Sequence, residues 1–547
     1  MRSTRPALLA LALVACVAPG TPSSAGARDD GAARRIEADV RFLADDLLEG
    51  REAGTRGFDL AAHYVVQRMR AIGLQPGGVD GGWLQPVRMV RGVREREGAK
   101  LAIAYDGKVT ELAFEQDFLP TQSFTNPRMA ITAPLVFVGY GVEAPELGHD
   151  DFAEIDVKGR IAVVVQGAPP SFPNDQRAYH SSSARKSRVL VAHGAVGIVN
   201  VRPPEDEVKR PWTVDSGNWQ RAAMRLLDAQ GQPIDDFPQL AGRAGVRTDA
   251  AVALFAGAPS TLAQVWAARA AGTMRGFALP ATITLESNTA LSQVESHNVV
   301  GKLPGRDAKL AGEYLVFSAH LDHLGTGAAV NGDANYNGAI DNALGIATMI
   351  EVATALVADR PRRSMLFVAT TAEEKGLLGA QRFAREPTVP AAALVGNINI
   401  DMPVLLAPGS AYIGWGAEHT TLGPQFERAA RKLSLAVAPD PFPEEVVFVR
   451  SDQFRFIEQG VPAIYLGTTP AAGDDAGKQA VATFLKTRYH LPGDDVAQPI
   501  QWEGAAQLAR IAELLARDAG DAAARPAWNA GDFFGRTFGA AAPAATQ

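Results

Sequence analysis

From about residue 281 onward, short runs of apolar, often branched residues alternate with longer stretches of helical periodicity. Residues 314–319, 365–370, 394–400 and 463–466 predict strands. Residues 343–358, 379–384, 425–433 and 504–516 predict helices. This alternation predicts an α/β fold: a mixed, largely parallel central sheet flanked by helices. Near the N-terminus, Ile36, Val40, Leu43 and Leu47 recur at helical spacing, and a second helical run ends at Ile72 before Gly73. The glycine-punctuated stretch 49–55 predicts a loop between them. Residues 99–115 predict short strands. Residues 135–141, 159–165 and 194–201 are compact β runs, and 186–193 reads as a helix.

The middle block carries no constellation of metal-type side chains, so it is expected to be a β-rich inserted domain. The expected division is a signal segment over 1–27, the first part of the main domain over 28–129, the insertion over 130–280, the main part over 281–520, and a mobile Ala/Gly/Pro-rich tail over 521–547.

The chain has 547 residues, 47% hydrophobic and 21% charged, with a net charge of −7. That suits a globular protein with a large core, and it lacks the basic excess that a nucleic-acid partner would require. Arg2 and Arg5 precede a short apolar run over 7–17, about half the roughly 20 residues needed to span a membrane. Ala25-Gly26-Ala27 is a small-x-small cleavage site. Leu13-Val14-Ala15-Cys16 has the form of a bacterial lipobox, in which the signal would end before Cys16 and that residue would carry a lipid anchor. Both readings predict export, to the periplasm, the outer membrane as a lipoprotein, or the medium. Cys16 is the sole cysteine, so no internal disulfide supports the fold.

Chemistry concentrates at the ends of the predicted strands. His320 and Asp322 follow strand 314–319, Glu373 and Glu374 follow 365–370, and Asp401 follows 394–400. Sites in open α/β sheets form beyond the carboxyl ends of strands. Asp341 precedes Asn342, a good N-cap, and the apolar-striped helix from 343, while Gly338 and Gly345 leave room for close approach. His490 follows Tyr489. Two imidazoles and three carboxylates can bind two divalent ions about 3.5–4 Å apart, leaving one carboxylate to move protons. Zinc suits the mixed His/carboxylate set, and manganese or cobalt fits the same ligand types. The expected chemistry is hydrolysis of an amide by a metal-bridging hydroxide, with Glu373 as general base.

These residues resemble the M28 zinc aminopeptidases, specifically the secreted bacterial type with a protease-associated (PA) insertion. The resemblance extends over nearly the whole mature chain. It includes Leu43-Ala44-Asp45-Asp46-Leu47-Leu48-Glu49-Gly50-Arg51, Val138-Gly139-Tyr140-Gly141, Asn298-Val299-Val300-Gly301-Lys302-Leu303-Pro304-Gly305, and the ordered set from His320 to His490. It implies a zinc-exopeptidase-type sheet and two Zn²⁺ ions. His320 and Asp401 would hold one, Glu374 and His490 the other, and Asp341 would bridge them. Glu373 would be the acid/base. Asp322 would orient the His320 ring, and Tyr489 would help stabilise the oxyanion. A cis Asp341–Asn342 bond is also implied. Ile340, Leu344 and Gln453 depart from the family pattern, and the loop holding Gln453 is expected to line the substrate pocket.

The function so implied is an aminopeptidase acting on peptides with a free N-terminus. A carboxypeptidase or dipeptidase with the same metals is the alternative, and a non-catalytic binding protein is a third. His297 and His323 are expected to be structural. His419 is expected to be packing or surface, and 331–337 a flexible rim loop.

Overall fold

The computed structural model describes residues 24–441, 443 and 446–539. The features expected over 1–23, including Cys16, lie outside the described residues. The fold is mixed α/β. Leu394–Ile400, Tyr314–His320 and Ser364–Thr370 lie side by side and parallel. Ala463–Thr469 extends the parallel set, and Ala411–Trp415 closes that edge antiparallel. Alternation along the central strand explains its continuous apolar run. Leu315, Phe317 and Ala319 enter the core beneath helices Ser24–Leu43, Leu344–Ala358 and Trp502–Asp521, while Val316 points to the opposite face, beside Phe383 and Phe456. Ala339–Ala358 is apolar enough to cross a bilayer by length and composition, yet it is packed inside this core.

On its other side Ser364–Thr370 pairs antiparallel with Phe277–Leu303, a strand of 27 residues. That strand also pairs with Leu84–Tyr105 and with Arg128–Phe137. It therefore carries the sheet into a second lobe, where Arg128–Phe137, Ile161–Val165, Gly197–Val201 and Gly242–Val246 run parallel. The core of the second lobe includes Leu101, Ile103 and Phe118, so it draws on residues well before the boundary expected at 130. The boundary expected near Leu279-Pro280 falls inside a continuous strand. Pro280 sits at the register break between Ala278 and Thr282, where a missing N–H is tolerated.

Two further expectations are corrected. Residues 521–539 are packed rather than mobile: Phe533 and Phe534 are buried, and the Trp528 indole N–H donates to the Gly460 carbonyl. The aromatic side chains anchor a segment whose composition suggested none would. The expected rim loop is a hairpin, Gly325–Val330 with Asp333–Tyr336, turned by Asn331 and Gly332, both left-handed.

At the N-terminus, helices Ser24–Leu43 and Arg56–Ala71 flank a loop held by Arg51. The first helix starts earlier than its apolar spacing indicated and includes Ala25-Gly26-Ala27. The Arg51 guanidinium is buried and donates to the carbonyls of Leu43, Leu321 (2.9 Å), Asn337 (2.6 Å) and Gly338 (3.1 Å). Burial lowers its pKa to about 10, so it stays charged at neutral pH. It ties the N-terminal helix to the two segments that carry His323 and Asp341.

Candidate metal centre

Three parallel neighbours deliver their exit residues to one rim. His320 ends one strand, Asp401 follows the next, and Glu373-Glu374 follow the third. Asp341 comes from the turn into helix Leu344–Ala358, and the Asp341–Asn342 peptide is cis. Asn342 secures that turn. Its Oδ1 accepts from Gly345 N–H and Met402 N–H, both at 3.0 Å, and its Nδ2 donates to the Ile400 carbonyl at 3.1 Å. Close approach requires the glycines. A Cβ on Gly338 would lie 2.2 Å from the Asp341 carbonyl oxygen and 2.6 Å from the His323 ring, and one on Gly345 would lie 2.1 Å from Asn342 Oδ1.

Two donor groups share Asp341. His320, Asp341 and Asp401 form one, and His323, Asp341 and Glu374 form the other; in each, the donor atoms lie within 4.8 Å of one another. His320 Nε2 stands 3.1 Å from Asp341 Oδ1 and 3.0 Å from Asp401 Oδ1. His490 joins the second group, with Nε2 at 3.2 Å from Asp341 Oδ2 and 3.3 Å from Glu374 Oε2. The five ligand residues expected from the sequence are thus brought together. Glu373 shares their electrostatic environment, and the Tyr489 ring stacks on His490 at 3.8 Å.

Asp322 acts differently from expectation. The group facing His320 Nδ1 is the Asp322 backbone carbonyl, at 3.0 Å. The Asp322 carboxylate reaches across to the neighbouring strand exit, where it accepts from the N–H groups of Glu373 (3.1 Å) and Glu374 (3.4 Å). Those N–H groups have left the sheet ladder, and the carboxylate satisfies them. The Ser451-Asp452-Gln453 stretch is also reassigned, because it is buried beneath the centre rather than lining a pocket. Ser451 Oγ donates to Asp401 Oδ2 at 2.6 Å, and Asn399 Nδ2 donates to Gln453 Oε1 at 2.9 Å. Two further supports were not expected. Asp494 accepts from the N–H groups of Ile340 and Asp341, both at 3.0 Å, and Tyr465 donates to the Asp401 carbonyl at 2.9 Å. A carboxylate four residues after His490 was the available sequence signal for Asp494.

The electrostatics demand positive charge. Burial pushes His320 down, but Asp401, Glu373 and Asp341 hold it well above its ordinary value. His490 is raised to about 10 because Glu374 and Asp341 outweigh burial. Burial pushes Asp322 up to about 7 and both Asp452 and Asp494 up to about 6. Glu373 lies well above the carboxylate range, driven by burial and then by Asp401, Glu374 and Asp452 against the pull of His320. With Nδ1 turned to a carbonyl, the Nε2 of His320 meets two carboxylate oxygens, an arrangement that needs a proton or a cation between them. Imidazole and carboxylate donors around a shared Asp341 fit a pair of divalent cations with zinc-like ligand preferences.

Residues 298–516 match Peptidase family M28. This region is a peptidase family M28 domain. It contains all the residues of both donor groups. Among curated relatives, a vacuolar membrane protease of Lachancea thermotolerans is 35% identical over 104 residues, 19% of this chain and 10% of that protein. A probable leucine aminopeptidase 2 of Aspergillus fumigatus is 26% identical over 222 residues, 38% of this chain and 41% of that protein. The chain thus spans less than half the length of these relatives. An aminopeptidase structure from Aneurinibacillus sp. strain AM-1 shares the fold, with a TM-score of 0.52 and 18% identity over 89% of this chain and 94% of that one.

A third cluster lies outside the M28 centre and joins the two lobes. The imidazole of His419 sits between Asp175 of the second lobe (2.8 Å) and Asp532 of the C-terminal segment (2.6 Å), with Glu418 adjacent. Both ring nitrogens are taken by carboxylates. Burial lowers its pKa, but the two aspartates outweigh burial and raise it to about 9. The folded chain therefore holds this proton more tightly than the unfolded chain. The stabilisation is complete below about pH 6.5 and disappears as pH rises through about 9. Unfolding free energies of wild type and His419→Gln measured from pH 6 to 10 should converge as pH rises, from a gap on the order of 3 kcal/mol at the acid end. A gap that stays constant with pH would refute the assignment.

Proposed function

We propose that the chain is a dinuclear metallo-aminopeptidase that removes N-terminal residues from peptides. The observation that carries this reading is the pair of donor groups sharing Asp341, with Glu373 beside both. His320 and Asp401 would hold one ion, Glu374 and His490 the other, and Asp341 would bridge them; zinc suits these ligands. When bound, such ions polarise a carbonyl and lower the pKa of water. The residues of the chain do the rest. Glu373 takes a proton from the attacking water and returns it to the leaving amine. Asp322 holds the backbone of Glu373 and Glu374, and so fixes where that proton is received. Ser451, itself held by Asn399, and Tyr465 hold Asp401, and Asp494 and Asn342 hold the Asp341 turn. Tyr489, half-buried and stacked on His490, would donate to the oxyanion.

The Aspergillus relative, called a probable leucine aminopeptidase, supports action at a free N-terminus. The second lobe would correspond to the PA-like insertion, roofing the centre and restricting access to short or unfolded chains. Its docking through Asp175 and through Tyr179 against Phe533 supports that placement.

Two measurements test the reading. Glu373→Ala should retain the bound metal yet lose about 10²–10⁴-fold in kcat; near-wild-type turnover would remove Glu373 from its role. A free-amine peptide should be cleaved at its N-terminal bond while its N-acetylated counterpart is not. Preference for the blocked peptide would favour the carboxypeptidase alternative.

A further inference from the structure

We infer that His323, set aside in the sequence as structural, is a direct ligand of the second ion, giving that ion four protein ligands against three for the first. This rests on the dinuclear reading above. The His323 side chain has no exposed surface. Among the described residues, neither of its ring nitrogens has a hydrogen-bond partner, and Glu374 Oε1 has none either. Nδ1 and Oε1 nevertheless approach to 2.7 Å, without the alignment of a hydrogen bond. Asp341 Oδ2 lies 3.9 Å from the same nitrogen. Buried polar atoms in such contact are best satisfied when both also point at a third charge. A divalent cation beside the pair, bound by both atoms, would satisfy them.

The surroundings aim the ring. The His323 N–H donates to the Arg51 carbonyl at 3.2 Å, and Gly338 lacks the side chain that would collide with the imidazole. His490 approaches the same Asp341 and Glu374 carboxylates from the rim, with its ring centroid 5.8 Å from that of His323. The second position then has His323 Nδ1, Asp341 Oδ2, Glu374 and His490 Nε2, enough to fill a tetrahedron. The first has His320 Nε2, Asp341 Oδ1 and Asp401 Oδ1, which leaves a coordination position open to substrate or water. The second ion is therefore the firmly held one.

Equilibrium dialysis of metal-stripped protein against Zn²⁺, with elemental analysis, tests this alongside thermal melts with and without zinc. Wild type should hold two ions per chain. His323→Gln, which keeps the volume of the site, should bind one of them at least about 100-fold more weakly, beyond the usual effect of an outer-sphere change. Without metal, its melting temperature should match wild type, while the rise caused by zinc should shrink. His323→Ala should weaken binding of the same ion. Retention of both ions with wild-type affinity would overturn the inference and leave the dinuclear reading intact. A metal-free variant as destabilised as the zinc-loaded one would reassign His323 to packing. Wild type that takes up no zinc would overturn the dinuclear reading itself, and the inference with it.

Discussion

The structure is organised around one electrostatic demand. Asp322, Asp341, Glu373, Glu374, Asp401, Asp452 and Asp494 are gathered beyond the ends of three parallel strands, and most are screened from water. Carboxylates so placed repel one another unless positive charge enters their midst. The imidazoles supply part of it, which is why His320 and His490 are driven upward. Burial pushes several of the carboxylates toward their neutral forms. Divalent cations would meet the same demand without titrating the site, so the geometry that makes the cluster costly is also what suits it to be a ligand set.

The scaffold must hold these groups against their repulsion, and it does so mostly through backbone contacts. Asp494 receives two N–H groups at the Asp341 turn, Asp322 receives two at the Glu373 turn, and Asn342 stitches the helix start to the strand end that precedes Asp401. Arg51 performs the complementary task. It is a buried cation whose hydrogens go to carbonyls of the segments leading to the centre, and it adds positive potential near Asp322, Asp494 and Asp341. The strand Phe277–Leu303 joins this arrangement to the second lobe, so the largest cores of the two lobes share one sheet.

Much of the centre was legible in the sequence because buried parallel strands read as apolar runs that stop abruptly. The strand Leu394–Ile400 has the bounds its apolar run indicated, and the polar residues that follow it and its neighbours fall on one rim. Other features were hidden for physical reasons. Leu84–Tyr105 alternates charged and apolar residues because much of it is solvent-exposed on one side, and only its end, from residue 99, was legible as a strand. Pro280 imitated a boundary because the register break that accommodates it has no local signature. His323 gave no sign of burial beside a carboxylate, since its environment is set by Arg51, Gly338 and Glu374, which are distant in the chain. The Asn331-Gly332 turn was legible as a hairpin signal, but the surrounding Asn and Asp residues obscured it. The packed C-terminal segment was concealed by its Ala- and Gly-rich flanks, although Trp528, Phe533 and Phe534 carry its attachment.

On the proposed function, Asp341 would divide its two oxygens between two cations. Crystals of the zinc-loaded protein measured above and below the zinc absorption edge test it most directly. Two anomalous peaks are expected, one on each side of the Asp341 carboxylate, the first against His320 and Asp401 and the second against Glu374 and His490. No peak at Asp341, or zinc bound only elsewhere, would contradict it.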